Sequence, residues 1–190
     1  MHSLNEFYPT TTQYQPYRDE NGRVVESAVG YASRMQNGLL RQWPAEVLRE
    51  WLHRHADFME DYAFLGFEDF RFTRVLWDVA QLPGREAFRD ESFCDSFQNV
   101  ETRAADNQHD WLAQHMLREG TWNTPIILLH NPNPNPALQK REIKKPYHLL
   151  EGHRRLSFLQ GLKRLGRALP EHLLWIVQIH PKAVIGSRSS

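Results

Sequence analysis

The sequence predicts an α/β protein of the α+β kind, in which a small mixed sheet with packed helices follows an N-terminal helical extension. After residue 66, short aromatic or β-branched runs of strand length alternate with segments whose apolar residues recur at helical spacing. Near the end of this region the order strand, turn, helix, strand is typical of a βαβ-like unit. We therefore divide the chain into an arm and helical extension over residues 1–66, an α/β domain over residues 67–180 and a flexible tail over residues 181–190.

Composition limits the class of protein. The chain has 190 residues, 41% of them hydrophobic, which is enough to bury a core. Its single cysteine, Cys94, excludes an internal disulfide and a cysteine-based zinc site. No apolar run approaches the roughly 20 residues of a membrane-spanning helix, and the N-terminus does not read as a secretory leader. We expect a cytoplasmic protein without a membrane partner.

The N-terminal region contains one strong helix signal. Residues 1–26 are polar without a sustained period and predict an arm, and residues 27–41 predict a weak helix that two glycines interrupt. Residues 44–65 begin with proline, stop before Gly66 and place apolar side chains on one stripe, which predicts an amphipathic helix.

The first half of the α/β domain is predicted to contain a strand, a connection and a helix. Residues 70–79 alternate and are rich in aromatic and β-branched side chains, as strands are. Residues 85–105 are polar and are interpreted as a long surface connection. A helix over residues 108–119, capped by Asp106 or Asn107, follows.

The second half is predicted to contain three strands and a helix. The apolar run 124–130 predicts a buried strand, and the repeated Asn-Pro sequence at 131–136 predicts a stiff loop that cannot join a sheet. Residues 147–151 form the next predicted strand, residues 153–165 a helix, and residues 173–180 the last strand.

The turn Glu151-Gly152-His153-Arg154-Arg155 carries the main functional signal. Glycine permits a sharp turn between a strand and a helix, and the first amides of that helix point outward as donors. Cations at a helix N-terminus are unfavourable unless an anion is nearby, so the pattern predicts a phosphate held by the amides and by a guanidinium. The alternative is that Arg154 and Arg155 pair with acidic residues of the 50–102 segment.

The two charge signs are separated along the chain. Residues 50–102 hold twelve Asp or Glu against five Lys or Arg, and residues 140–167 hold nine Lys or Arg against two Glu. The acidic segment is a candidate surface for a protein partner, and the basic segment is a candidate surface for DNA.

Two stretches resemble the ParB/sulfiredoxin superfamily. The sequence Gly-His-Arg-Arg between a strand and a helix resembles the Gly-Glu-Arg-Arg box of ParB proteins, and "WLAQHMLREGTWNTPIILLH" resembles the helix-Gly-Pro-strand segment that precedes that box. The resemblance covers about residues 108–180. It implies a nucleotide-phosphate pocket made by the following residues: Gly120, Pro125, Gly152, His153, Arg154 and Arg155.

The resemblance also implies a ligand and a chemistry. Family members bind ATP or CTP with Mg²⁺ and use it for hydrolysis, phosphoryl transfer or switching, so Glu151 and His153 become candidate catalytic residues. His153 stands where sulfiredoxins have their nucleophilic cysteine, which excludes that reaction. A second catalytic acid could be Glu101, Asp106 or Glu119, and the sequence does not choose among them.

Three function classes therefore stay open. The first is a nucleotide-binding domain, with or without NTP hydrolysis or phosphoryl transfer. The second is a non-catalytic interaction protein, such as an immunity or antitoxin-like partner that uses the acidic 50–102 segment. The third is a DNA-binding or nuclease accessory protein that uses the basic 140–167 segment. No paired histidine or carboxylate spacing predicts a metal site.

Overall fold

The computed structural model describes residues 11–107, 109–132 and 142–180. Its contacts divide the chain into two compact units. Of the described residues, the first comprises 11–72 and 179–180, and the second comprises those between 73 and 178. This boundary lies within the first strand rather than at residue 66. The Asn-Pro loop after Pro132, the residues before Thr11 and the predicted tail at 181–190 lie outside the described residues.

The first unit is helical, with shorter helices than predicted. Helix α1, Ala28–Asn37, begins at Ser27, whose Oγ accepts a hydrogen bond from the Gly30 amide, and it ends at Gly38. Helix α2, Ala45–Val47, continues as a π-helical segment, Leu48–His53, and a 3₁₀ segment follows at Ala56–Asp61. The continuous helix predicted over 44–65 is therefore wrong, because His55 leaves the helical region with φ −118° and ψ 36°.

An aromatic cluster forms the core of this unit. The Trp43 indole lies 5.7 Å from the Trp51 ring and 5.5 Å from the Phe70 ring, and its Nε1 donates to the Phe67 carbonyl at 2.9 Å. The predicted apolar stripe is buried at Leu48, Trp51 and Met59, but Phe58, which it also included, is 64% exposed.

The described part of the arm packs onto α1. Arg34 of α1 holds Glu26 through two hydrogen bonds, from Nε at 2.8 Å and from Nη2 at 2.7 Å. The same guanidinium lies 4.3 Å above the Tyr17 ring. Tyr31 donates its hydroxyl to the Tyr14 carbonyl at 2.6 Å. An arginine fork therefore fixes residues that the sequence presents only as a polar arm.

Four strands form one mixed sheet. They are β1, Phe70–Asp78; β2, Ile126–His130; β3, Tyr147–Glu151; and β4, Glu171–Ile179. The order across the sheet is β1-β4-β2-β3, and β2 pairs with β3 antiparallel and with β4 parallel. The predicted strands are confirmed. The βαβ-like unit from β3 to β4 is not formed, because β2 lies between these two strands and is the parallel partner of β4.

Within the described residues, four α-helices belong to the second unit. They are α3, Glu91–Phe97; α4, Val100–Asp106; α5, Trp111–Glu119; and α6, His153–Arg164. The predicted surface connection over 85–105 is therefore wrong, since it contains α3 and α4. The side chains of Asp90 and Asn99 cap these two helices, and Asp110 rather than Asp106 or Asn107 caps α5.

The core of the second unit joins the strands to these helices. Buried members come from every one of the four helices and from β2, β3 and β4; they include Cys94, Val100, Met116, Ile126, Leu128, Leu149, Phe158, Leu162 and Leu174. Because α6 contributes several of these side chains, its first turn is held in place by packing rather than by its own helix propensity.

Candidate functional site

The turn before α6 is sharp and leaves no room for a side chain. Gly152 has φ 99° and ψ 28°, in the left-handed region that favours glycine. A Cβ added there would lie 2.5 Å from Cγ2 of Ile126 at the start of β2. The turn therefore lies directly against the segment that contains Pro125.

Arg155 points into the protein and connects those two stretches. Its Nη2 donates to Oε1 of Glu151 at 2.7 Å, and its Nη1 donates to the Thr124 carbonyl at 3.1 Å. The side chains of Arg155 and Glu151 are only 9% and 15% exposed. The geometry gives both residues a structural contact, whereas the sequence predicted phosphate binding for Arg155 and catalysis for Glu151.

His153 lies against two aromatic rings. The imidazole centroid is 5.8 Å from the Phe88 ring and 5.6 Å from the Phe93 ring, in edge-on geometry. The Ser157 hydroxyl donates to the His153 carbonyl at 2.8 Å. These contacts place the imidazole among residues of the 85–105 region.

Arg154 points away from Arg155. Its Nη2 forms an ion pair with Oδ2 of Asp110, and its guanidinium carbon lies 5.5 Å from the Phe97 ring centroid and 5.4 Å from that of Phe158. The Arg154 side chain is 41% exposed. Its Nε is buried and has no hydrogen-bond partner among the described residues.

A pocket of about 400 Å³ opens beside Arg154. It lies among the ends of α3, α4, α5 and α6. Its lining consists of Phe97, Arg103, Asn107, His109, Asp110, Trp111 and Arg154. Its volume is within the range of small-molecule sites, and its lining combines aromatic rings with a few charged groups, as such sites do.

Two guanidinium groups share one aromatic ring in this pocket. The Arg103 guanidinium carbon lies 4.7 Å from the centroid of Phe97, the ring that Arg154 also contacts. Cation–π contacts of this length orient a guanidinium and leave its N–H edge available to another group. Asp110 is the only carboxylate in the described lining, and its Oδ1 already accepts from the Ala113 amide at 3.2 Å.

Close packing against α6 positions the α3 and α4 side of the pocket. The turn between α3 and α4 lies on Gly161, and the Arg164 side chain donates both to Oε1 of Gln98 and, at 3.3 Å, to the Gln98 carbonyl. Phe97 and Arg103 flank this turn. The contact therefore determines where both residues lie relative to Arg154.

The structure brings some of the predicted site residues together and separates others. Gly152 and Arg155 lie against Ile126 and Thr124, on either side of Pro125, and Arg154 is the only one of the predicted residues that lines the described pocket. Gly120 caps α5 and contacts Arg167 and Leu169, which follow the other end of α6. Since α6 has 12 residues, that end is about 18 Å from the turn.

The predicted ionic alternative is also corrected. Arg154 and Arg155 pair with Asp110 and Glu151, and neither acid belongs to the 50–102 segment. That segment is itself divided between the two units. Of the candidate second acids, Glu119 pairs with Arg118 and Glu101 lies 3.9 Å from Arg167. Neither they nor Asp106 is among the described lining residues.

Sequence reasoning missed six of the seven described residues that line the pocket: Phe97, Arg103, Asn107, His109, Asp110 and Trp111. A local signal existed for Asp110, which precedes the apolar period of α5 and is a preferred capping residue. The sequence pattern placed Trp111 on the inner face of this helix with Leu112, His115 and Met116, which is wrong, because Trp111 is 52% exposed. Phe97 and Arg103 lie in the region interpreted as a connection, so no element was available on which to place them.

The single cysteine is not placed for nucleophilic chemistry. Cys94 is 2% exposed, and burial is the largest of the causes that raise the pKa of its thiol. A raised pKa keeps the group in its unreactive thiol form. Among the residues described, no group of three or more His, Cys, Asp or Glu side chains is arranged to hold a metal ion.

Comparison with family models, with curated proteins and with solved structures finds no match to this chain. Within the described parts of the chain, none of the helices has both the length and the apolar character needed to cross a bilayer.

Proposed function

We propose that the unit formed by residues 73–178 is a ParB/sulfiredoxin-like domain that binds a nucleotide, ATP or CTP, through its phosphates in the pocket beside Arg154. One observation carries the proposal. Arg154 comes from the Gly-His-Arg-Arg turn, and it meets a second arginine, Arg103, on the same aromatic ring at the wall of a ligand-sized pocket.

The charge of the pocket favours an anion. Two guanidinium groups and one carboxylate line it, and the carboxylate of Asp110 is bound to Arg154 and to the Ala113 amide. Guanidinium groups present planar pairs of N–H donors that match phosphate oxygens. Because Phe97 already orients both groups, a phosphate would meet them with less loss of side-chain freedom than it would on an open surface.

The position of Arg154 lowers the stability of the fold, so packing alone does not explain it. Its buried Nε has no partner among the described residues, and an unsatisfied buried donor costs about 1–3 kcal/mol. Buried groups of this kind call for an explanation other than packing. Holding a guanidinium at a ligand pocket is such an explanation.

The contact between the two resembling stretches supports the family assignment. β2 forms the end of the first stretch, β3 directly precedes the second, and the two strands are antiparallel neighbours. Arg155 hydrogen-bonds both Glu151, at the end of β3, and Thr124, just before β2. The proposal is limited to binding. Neither of the two predicted catalytic residues, Glu151 and His153, is among the described pocket residues.

Isothermal titration with ATP, CTP and tripolyphosphate, each with and without Mg²⁺, tests the proposal. We expect saturable binding to the wild type that Arg154→Gln and Arg103→Gln each weaken at least about tenfold, the equivalent of 1.4 kcal/mol. Arg85→Gln is the matched control, because Arg85 is an exposed arginine of the same unit that pairs with Glu91 outside the pocket.

Circular dichroism and urea unfolding should show that all three variants are folded. Equal affinity in the wild type and in Arg154→Gln would reject this pocket as the binding site. Failure of every ligand to bind the wild type would reject the proposed function.

A further inference from the structure

We infer that the ligand of this pocket is a purine nucleotide whose base stacks on the indole of Trp111. The inference rests on the proposed function, because it assigns the phosphates to Arg103 and Arg154. It goes beyond that function by choosing between the two bases that the proposal leaves open, adenine and cytosine, and by assigning the selection to one residue.

Trp111 is placed for a ligand rather than for the core. It is the first residue of α5 and is 52% exposed, whereas the inner face of the same helix buries Leu112, Ala113 and Met116. An indole that is half exposed leaves a large apolar surface in contact with water, and the surface lies in a pocket. A flat aromatic ring can stack on such a surface and remove a large apolar area from water.

The residues next to Trp111 are polar and belong to the same rim. Asn107 and His109 line the pocket on the segment that leads into α5, and the Asn107 Oδ1 accepts from the His109 amide at 3.1 Å. Both side chains are exposed. Amide and imidazole groups can hydrogen-bond the edge of a base that lies on the indole. The rim thus offers the exposed face of Trp111 together with polar groups. The Phe97 ring, in contrast, already contacts the two arginines.

The two parts of the pocket suit different parts of the ligand. The guanidinium groups on Phe97 suit phosphate, and the exposed indole suits a π-system. A bicyclic purine covers more of an indole than a single pyrimidine ring does, so it removes more apolar surface from water on binding. Base stacking on aromatic side chains contributes about 1–3 kcal/mol per base in proteins that bind single-stranded nucleic acids.

The test compares ATP, GTP, CTP and tripolyphosphate by isothermal titration in the wild type, Trp111→Phe and Trp111→Leu. We expect ATP and GTP to bind at least about tenfold more tightly than tripolyphosphate and more tightly than CTP. Trp111→Leu should remove the gain of the purine nucleotides over tripolyphosphate. Trp111→Phe, which keeps an aromatic face, should retain part of it.

Tripolyphosphate distinguishes phosphate binding from base stacking. Its affinity should be the same in all three proteins, because it has no base. If tripolyphosphate binds but purine nucleotides bind no better, or if CTP binds most tightly, or if Trp111→Leu leaves the purine gain intact, the inference is wrong and phosphate binding stands. If neither tripolyphosphate nor any nucleotide binds the wild type, the proposed function itself fails.

Discussion

A Cβ added to Gly161 would lie 2.0 Å from the carbonyl oxygen of Gln98. Helix α6 therefore meets the turn between α3 and α4 at backbone distance. This contact is what brings Phe97 and Arg103, which flank the turn, to the same pocket as Arg154 of α6. A glycine in the middle of a helix thus has a direct consequence for the geometry of the candidate site.

Gly161→Ala should destabilise the protein and weaken ligand binding. Helix propensity alone predicts the opposite sign, because alanine is favoured over glycine by about 1 kcal/mol inside a helix. We expect overpacking against Gln98 to dominate, with a net loss of about 1–3 kcal/mol in the free energy of unfolding. Urea unfolding measures this loss. Lys163→Ala, at an exposed position of the same helix, is the control, and equal or greater stability of Gly161→Ala would show that the contact is not as close as described.

Arg155 and Arg154 should differ in what their replacement removes. Arg155→Ala takes away the cation beside the largely buried Glu151 carboxylate, and breaking a buried pair in this way costs about 3–5 kcal/mol. Arg154→Gln also takes a cation from a buried carboxylate, that of Asp110, but glutamine keeps an N–H donor and Asp110 still accepts from the Ala113 amide, so stability should fall less. Urea unfolding of both variants tests the difference.

The double variant Arg155→Met with Glu151→Gln provides the check on this argument. It removes both charges and should recover part of the stability that Arg155→Ala loses. A midpoint of unfolding for Arg155→Ala equal to that of the wild type would contradict the structural role assigned to the pair.

The four strands and the last two helices could be predicted from the sequence because each carries a strong local pattern. The strands are apolar or alternating runs bounded by turn residues, and α5 and α6 are each long enough for a helical period to appear. Helices α3 and α4 have seven residues each, which is too short for a period to be distinguished from a polar connection. Their capping residues, Asp90 and Asn99, were the remaining signals.

The order of the strands and the lining of the pocket depend on contacts between distant residues. Nothing in the segment Tyr147–Glu151 indicates that β2 rather than β4 is its neighbour. The pocket draws Phe97, Arg103, Trp111 and Arg154 from four different helices. Of these four residues, Arg154 alone had a local signal, the cation at the start of a helix, and it was the one predicted.

His148 should make the protein less stable in mild acid. The residue is fully buried on β3, and its Nδ1 accepts from the Lys144 amide at 3.2 Å. Burial, with smaller coulombic contributions from His153, Arg89 and Lys144, lowers the pKa of His148 from 6.5 to about 3. Below pH 6.5 His148 is therefore protonated in the unfolded chain but not in the folded protein. The free energy of unfolding is unaffected by this group above pH 6.5 and falls as the pH decreases towards 3.

The size of this effect follows from the linkage between protonation and folding. Each pH unit in the window corresponds to about 1.4 kcal/mol, so His148 should account for a loss of about 2 kcal/mol between pH 6.5 and pH 5. Urea unfolding of the wild type and of His148→Gln at both pH values measures it. The variant should lose less stability over this interval than the wild type, whereas His115→Gln, at a partly exposed position of α5, should lose as much as the wild type. A His148→Gln variant with the wild-type dependence on pH would contradict the prediction.

Asp110 should limit the affinity of the pocket for anions. Its carboxylate occupies one edge of the Arg154 guanidinium, and its negative charge lies within the site proposed for phosphate. The same side chain caps α5 by accepting from the Ala113 amide, so its two roles must be separated. Asp110→Ser removes the charge and keeps a good capping group, whereas Asp110→Ala removes both.

We expect Asp110→Ser to bind tripolyphosphate more tightly than the wild type, because Arg154 no longer has an internal anion as a competitor. Because serine still caps α5, the Asp110→Ser variant should lose little free energy of unfolding through the cap. Asp110→Ala has no capping group, so its free energy of unfolding should be about 1 kcal/mol lower than that of Asp110→Ser. Isothermal titration and urea unfolding of the two variants measure these effects independently. Weaker binding by Asp110→Ser would mean that the carboxylate holds Arg154 in the orientation that a phosphate needs, so that the ion pair assists the ligand rather than competing with it.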